Sequence, residues 1–192
     1  MQPNPTRRLI AACCTALCIN AASADTATPE QEAEGWFDRA TTSLKRTWTE
    51  GTPELYVPLY TWHMPWAYTQ EQINNYNNFP LGLGVGRGRF TEEDGDWHGF
   101  YAMGFQDSHS KPEYQIGYAY KTFWPVAGEL KAGIGYTVFI GARSDYHDYM
   151  PFPGILPIIS LAYAKAVSLD AAYVPGGKGN GNVLFFWSTV RF

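Results

Sequence analysis

The sequence predicts an all-β chain: an eight-stranded antiparallel transmembrane β-barrel preceded by an amphipathic interfacial helix. Three observations predict it. The final segment, 182–192, forms one strand that stops on an aromatic residue, and about 9–11 tilted residues carry a β-element across a bilayer. Aromatic residues make up 16% of the chain and charged residues 17%, yet the mean hydropathy is only −0.27. A wall that alternates between lipid and lumen produces that combination. Beyond the amino terminus no apolar run reaches the roughly 18 residues of a spanning helix, so helical spans are excluded.

The elements follow in order. Arg7 and Arg8 precede the apolar run Leu9–Ile19 and the small residues Ala22, Ser23 and Ala24, the pattern of a secretory signal peptide over 1–24. Cys13, Cys14 and Cys18 all lie inside it, so residues 25–192 offer no thiol chemistry. Those residues form one outer-membrane barrel domain, with a helix about 35–50 and a barrel about 55–192. The net charge of −4 supplies no basic footprint for nucleic acid.

In the helix, Trp36, Phe37, Ala40, Leu44 and Trp48 recur at spacings of three and four, and Asp38, Arg39, Lys45 and Arg46 take the opposite side. Such a helix lies in a membrane interface, anchored by its tryptophans. After Pro53, turn signals divide the chain into strands at roughly 55–65, 80–90, 96–107, 115–124, 129–142, 156–165, 167–174 and 182–192. Glu92–Asp96, Pro125–Gly128 and the Lys165 region are tight turns. The links 66–79, 108–114, 143–155 and 175–181 are longer. Short periplasmic turns and long outer loops alternate in this way in bacterial outer-membrane barrels. An even strand count places both barrel ends on the periplasmic side.

Gly82, Gly84, Gly86 and Gly88 share one face of their strand, and Leu81, Leu83 and Val85 share the other. The apolar face meets lipid, so the glycines face inward. Two readings stand: a lumen stripped of side chains to admit a slender ligand, or relief of curvature at barrel corners.

His63 ends the first strand, and Asp107 and Ser108 end the third, so all three lie at the outer rim. A base, a carboxylate and a hydroxyl are the ingredients of acyl transfer. They are equally ordinary rim residues, and no Gly-x-Ser-x-Gly elbow is present. His98, His109 and His147 have no metal-ligand spacing, and no metal or cofactor is expected.

Trp62-His63, Asn74–Asn77, Trp97-His98-Gly99, Tyr101–Met103, Asp107-Ser108, Ala142-Arg143 and Gly179–Val183 fall in an order and at intervals that resemble the lipid A palmitoyltransferase family of Gram-negative outer membranes. The resemblance runs from Trp36 to Phe192. It implies an acyltransferase that moves a palmitoyl chain from the sn-1 position of a phospholipid to a hydroxyacyl chain of lipid A. It makes His63, Asp107 and Ser108 the catalytic residues, facing the cell exterior. It makes Pro58, Pro80, Pro157 and Pro175 breaks in strand pairing through which an acyl chain passes sideways, since proline donates no ladder hydrogen bond. The family's pocket floor is a glycine; here Ala119 stands there, which implies a palmitoyl or slightly shorter chain. Arg143 becomes either a contact for a lipid A phosphate or an exposed loop residue. The implied partners are a phospholipid donor, lipid A as acceptor, and the outer membrane, around a monomer. The rival readings are a non-catalytic barrel, structural or adhesive, and an outer-membrane phospholipase.

Overall fold

The computed structural model describes residues 29–91 and 95–192, with side chains of 35 and of 37 onward. The expected signal peptide, its cysteines, Trp36 as an anchor and most of the Glu92–Asp96 turn lie outside the described residues. The order is α1 (Pro29–Glu50), β1 (Thr52–His63), α2 (Gln70–Asn75), β2 (Gly82–Phe90), β3 (Trp97–Gln106), β4 (Pro112–Ala127), β5 (Leu130–Arg143), β6 (Phe152–Tyr163), β7 (Val167–Val174) and β8 (Val183–Arg191). Two compact units divide after Asp38; the second, Arg39–Phe192, holds the end of α1 and the whole barrel.

Each strand pairs antiparallel with the next, and β8 pairs with β1 to close the barrel. Closure gives every strand a neighbour on both sides, so no strand lies at an open edge along its whole length. The period of two separates the faces. Leu81, Leu83 and Val85 are 77%, 59% and 65% exposed, and Ile116, Ile134, Ile155 and Ile159 are exposed likewise. Polar Glu54, Lys121, Ser160, Ser168, Asp170 and Thr189 are buried inside. This inside-out distribution is what a lipid-facing wall requires.

α1 begins six residues before the expected Gly35. It stops at Gly51, whose N–H donates to the Thr47 carbonyl (3.1 Å) and whose carbonyl accepts from Arg87 Nε and Nη2 (3.0 and 2.8 Å). A Cβ on Gly51 would lie 2.3 Å from the Thr47 carbonyl oxygen, so glycine permits the tight passage into β1. Trp48 packs edge-on against Phe100 of β3, with ring centres 6.2 Å apart.

Several strand limits differ from expectation. β4 is longer at both ends, and β6 begins at Phe152 rather than near 156, because Pro153 and Gly154 sit in the ladder against β5. Within the expected loop 66–79 lies α2, started by a Thr69–Gln72 capping box.

Among the described residues the ladder fails twice, both times toward the rim that carries His63. β1 registers with β2 only from Thr52↔Gly88 to Tyr56↔Gly84; above Tyr56 it pairs with β8 alone, through a bulge between Pro58 and Tyr60. β6 registers with β7 only from Ile158↔Ala172 downward, while Phe152–Pro157 pair with β5. Pro58 and Pro157 border these gaps from within strands. Pro80 stands just before β2 rather than on it, and Pro175 directly follows β7.

The glycine stripe faces inward but does not hollow the lumen. A Cβ on Gly82 would lie 2.4 Å from Cα of Phe105, on Gly84 2.2 Å from Cγ of Met103, on Gly86 2.7 Å from Cε2 of Tyr56, and on Gly88 2.4 Å from Nε1 of Trp97. Neighbouring strands lay large side chains across this bare wall. The expectation that Gly82, Gly84, Gly86 and Gly88 themselves bound a ligand space is therefore corrected; Tyr56, Trp97, Met103 and Phe105 bound it instead.

Candidate active site

A cavity of about 470 Å³ runs down the barrel from the rim. That is within the range of about 300–1,000 Å³ of small-molecule sites. Its walls are mostly apolar, with Met103, Phe105, Phe139, Ile158, Phe185 and Trp187 among them. Tyr101 and Thr137 cross it with a 2.8 Å hydrogen bond between their hydroxyls. Ala119, buried on β4, faces it, and Lys121 lies two residues further down the same face.

Beneath lies a charged plug. Asp170 Oδ1 accepts from Lys121 Nζ (2.8 Å) and Ser160 Oγ (2.6 Å), and Oδ2 from Ser168 Oγ (2.8 Å) and Thr189 Oγ1 (3.0 Å). Glu54 accepts from Trp97 Nε1 (3.0 Å), Arg191 Nε (2.6 Å) and the Tyr56 hydroxyl (2.6 Å). The Lys121 ammonium also lies 4.2 Å from the Trp97 ring centre. Two cations thus balance two carboxylates, and both carboxylates have their oxygens satisfied, the condition for holding charges away from water. The alternation that placed these residues inward was visible in the sequence; their mutual pairing across β1, β3, β4, β6, β7 and β8 was not.

At the mouth, His63 Nε2 lies 2.9 Å from Ser108 Oγ. The chain between α2 and β2 bridges the end of β1 and the turn after β3. The Thr61 N–H donates to the Asn78 carbonyl, and the Asn77 N–H to the Ser108 carbonyl, each at 2.8 Å. His63 is further boxed by Tyr76, tilted 34° with ring centres 4.8 Å apart, and by Tyr68, edge-on at 5.2 Å. The Tyr68 hydroxyl donates to the Gly181 carbonyl, and burial raises its pKa, so it stays a donor.

Asp107, next to Ser108 in the chain, makes no hydrogen bond to the imidazole among the described residues. Its Oδ1 accepts from the backbone N–H groups of His109 and Lys111, each at 2.8 Å, which ties the turn carrying Ser108. Its Oδ2 is buried with no hydrogen-bond partner among the described residues. The partner of His63 Nδ1 is Asn78 Oδ1, at 2.9 Å. The group that meets the Nδ1 side of the ring is thus Asn78, a residue that sequence spacing gave no reason to choose.

Arg143 lines the mouth, but its fork is taken. Nε and Nη2 reach the Asp145 carboxylate at 2.5 and 2.7 Å, and Glu113 lies 3.9 Å from Nη1. A lipid A phosphate would have to displace the Asp145 carboxylate to reach this fork.

The family model described as "Antimicrobial peptide resistance and lipid A acylation protein PagP" matches residues 43–189. Proteins named "Lipid A acyltransferase PagP" are similar over most of the chain. The Methylobacillus flagellatus protein is 43% identical over 157 residues, covering 82% of this chain and 84% of its own. The Laribacter hongkongensis protein is 46% identical over 153 residues, 80% and 73% of the two chains. The Legionella pneumophila protein is 41% identical over 187 residues, 96% and 98% of the two chains.

Proposed function

The chain belongs to the PagP family of outer-membrane lipid A acyltransferases, and from that premise we propose how it performs the transfer. It is an enzyme that acylates lipid A. The donor is the sn-1 ester of a glycerophospholipid, and the chain transferred is palmitoyl or slightly shorter. One observation carries this reading: the His63–Ser108 pair, 2.9 Å apart, stands at the mouth of an apolar cavity that is closed below by charge.

The acyl tail slides through the gaps bordered by Pro58 and Pro80, and by Pro157 and Pro175, where no ladder has to be broken. Moving from lipid to an apolar lumen, the tail gains little of the usual ~0.8 kcal/mol per buried methylene. Length, not greasiness, is therefore selected. A tail that is too long meets the floor near Ala119, Trp97 and Lys121, and one that is too short leaves a void. One methylene in such a pocket is worth about 1–3 kcal/mol.

With the carbonyl at the rim, Ser108 Oγ attacks its carbon while its proton passes to His63 Nε2. The bond from carbon to the glycerol oxygen breaks, and that oxygen takes the proton, releasing lysophospholipid and leaving an acyl-serine. A hydroxyl on a hydroxyacyl chain of lipid A then gives its proton to His63 and attacks the acyl-serine. Ser108 leaves and is reprotonated. One ester replaces another, so the exchange is near thermoneutral. The Asp107 carboxylate holds the serine turn and adds negative charge beside the imidazolium that forms in each step.

The site faces the cell exterior, the barrel acts as a monomer, and residues 1–24 are removed on export. The test is mass spectrometry of lipid A from Gram-negative cells that express the wild type or His63→Ala. An added acyl chain with wild type only supports the reading. Released lysophospholipid without acylated lipid A would replace transfer by hydrolysis.

A further inference from the structure

Asn78 belongs to the short stretch between α2 and β2 that runs beside the top of β1, where β2 itself is no longer paired. Its backbone is pinned from both sides. The Thr61 N–H donates to its carbonyl, and the preceding residue Asn77 donates to the carbonyl of Ser108. Asn77 Oδ1 accepts from the Phe79 N–H at 3.0 Å, and its Nδ2 donates to Gln106 Oε1 at 3.3 Å. With the backbone of both residues fixed in this way, the Asn78 side chain sets its amide oxygen 2.9 Å from His63 Nδ1.

An amide oxygen only accepts, so the imidazole nitrogen facing it must carry the hydrogen. The lone pair then sits on Nε2, which is the nitrogen that faces Ser108 Oγ. We propose that Asn78 is the positioning residue of the acyl transfer. It fixes His63 in the Nδ1–H tautomer and in the ring orientation that presents Nε2 to the serine hydroxyl. This rests on the reading of His63 as base, and deepens it.

The assignment has a physical alternative, Asp107, and the geometry decides against it. One oxygen of that carboxylate is committed to two backbone N–H groups, and neither oxygen hydrogen-bonds to the ring. A neutral amide is sufficient to orient an imidazole, and Cys-His-Asn proteases use one in the same place. The choice has a chemical consequence. An amide fixes the tautomer without strongly favouring imidazolium, whereas a carboxylate would do both.

The test uses the full-length protein in detergent micelles, with a defined phospholipid and lipid A, and compares wild type, Asn78→Leu, Asn78→Asp and His63→Ala. Asn78→Leu should lower kcat at least about tenfold, toward the ~10²–10⁴-fold contribution of a placed general base, with KM little changed. Asn78→Asp should recover most of that loss and move the acid limb of the pH–rate profile to higher pH. In ¹⁵N spectra, wild-type His63 should be protonated at Nδ1, and Asn78→Leu should lose that preference.

Asn78→Leu with wild-type kcat and tautomer, beside an inactive His63→Ala, would overturn the assignment of Asn78 and spare the base. Asn78→Asp as impaired as Asn78→Leu, with an unmoved pH profile, would make Asn78 a structural residue and overturn it too. Full activity in His63→Ala would instead remove the base, and the inference with it.

Discussion

Lys121 and Asp170 form an ion pair at 2.8 Å, each almost wholly buried, directly below the cavity. Asp170 also receives three hydroxyl hydrogen bonds, so it is the hub of the plug. Asp170→Ala would leave an ammonium buried without its counter-ion. Breaking such a pair from one side costs about 3–5 kcal/mol. Denaturant unfolding of the micelle-bound protein should show a loss of that order. A loss under ~1 kcal/mol would mean that water reaches Lys121 and that the lumen is not sealed below.

Ala119 faces the cavity two residues above Lys121 on β4. Its methyl takes length from the space available to an acyl tail. Ala119→Gly should shift the product toward longer chains and Ala119→Met toward shorter ones. At about 1–3 kcal/mol per methylene, each shift amounts to roughly 10–200-fold in preference. Mass spectra of lipid A that show the same chain for wild type and both variants would place the floor elsewhere.

Asp107 serves its turn through one oxygen, which an asparagine could supply as well. Asp107→Asn should keep the two bonds from His109 and Lys111, while Asp107→Ala loses both. If its main role is to tie the Ser108 turn, Asp107→Ala should lose at least about tenfold more kcat than Asp107→Asn, well within what positioning of reacting groups is worth. Equal losses in steady-state transfer would show that the negative charge itself is needed.

The barrel was legible because its period of two has no competitor: Leu81, Leu83 and Val85 against Gly82, Gly84 and Gly86 admit only one face to lipid. The strand limits were less legible where Pro153 and Gly154 mimic a turn yet sit in the β5–β6 ladder. α2 carried a readable signal, Thr69 followed three residues later by Gln72, but the helix it starts is only 6 residues long and has no buried face to give it a period. The glycine stripe showed its direction but not its purpose, because what fills the space belongs to other strands. His63, Asp107 and Ser108 could be placed at one rim from strand ends alone. Which of them touch could not, since the contact depends on a segment, Asn77–Asn78, that bridges β1 and the Ser108 turn by backbone bonds. Asn78 had no sequence signal at all: its importance lies in where its side chain points.

His63 and Ser108 should behave as one unit. If the serine is the nucleophile and the histidine its base, removing either abolishes the same step, and removing the second costs nothing more. His63→Ala, Ser108→Ala and the double variant should therefore share one residual transfer rate, on the order of 10⁴–10⁶-fold below wild type. Single-turnover experiments with a slowly transferred acceptor should trap an acyl group on Ser108 in the wild type, and none in Ser108→Ala. Additive losses in the double variant, with no adduct at any time, would mean that the lipid A hydroxyl attacks the phospholipid directly. His63 would then serve that hydroxyl, and Ser108 Oγ would be left to donate a hydrogen bond to the oxyanion.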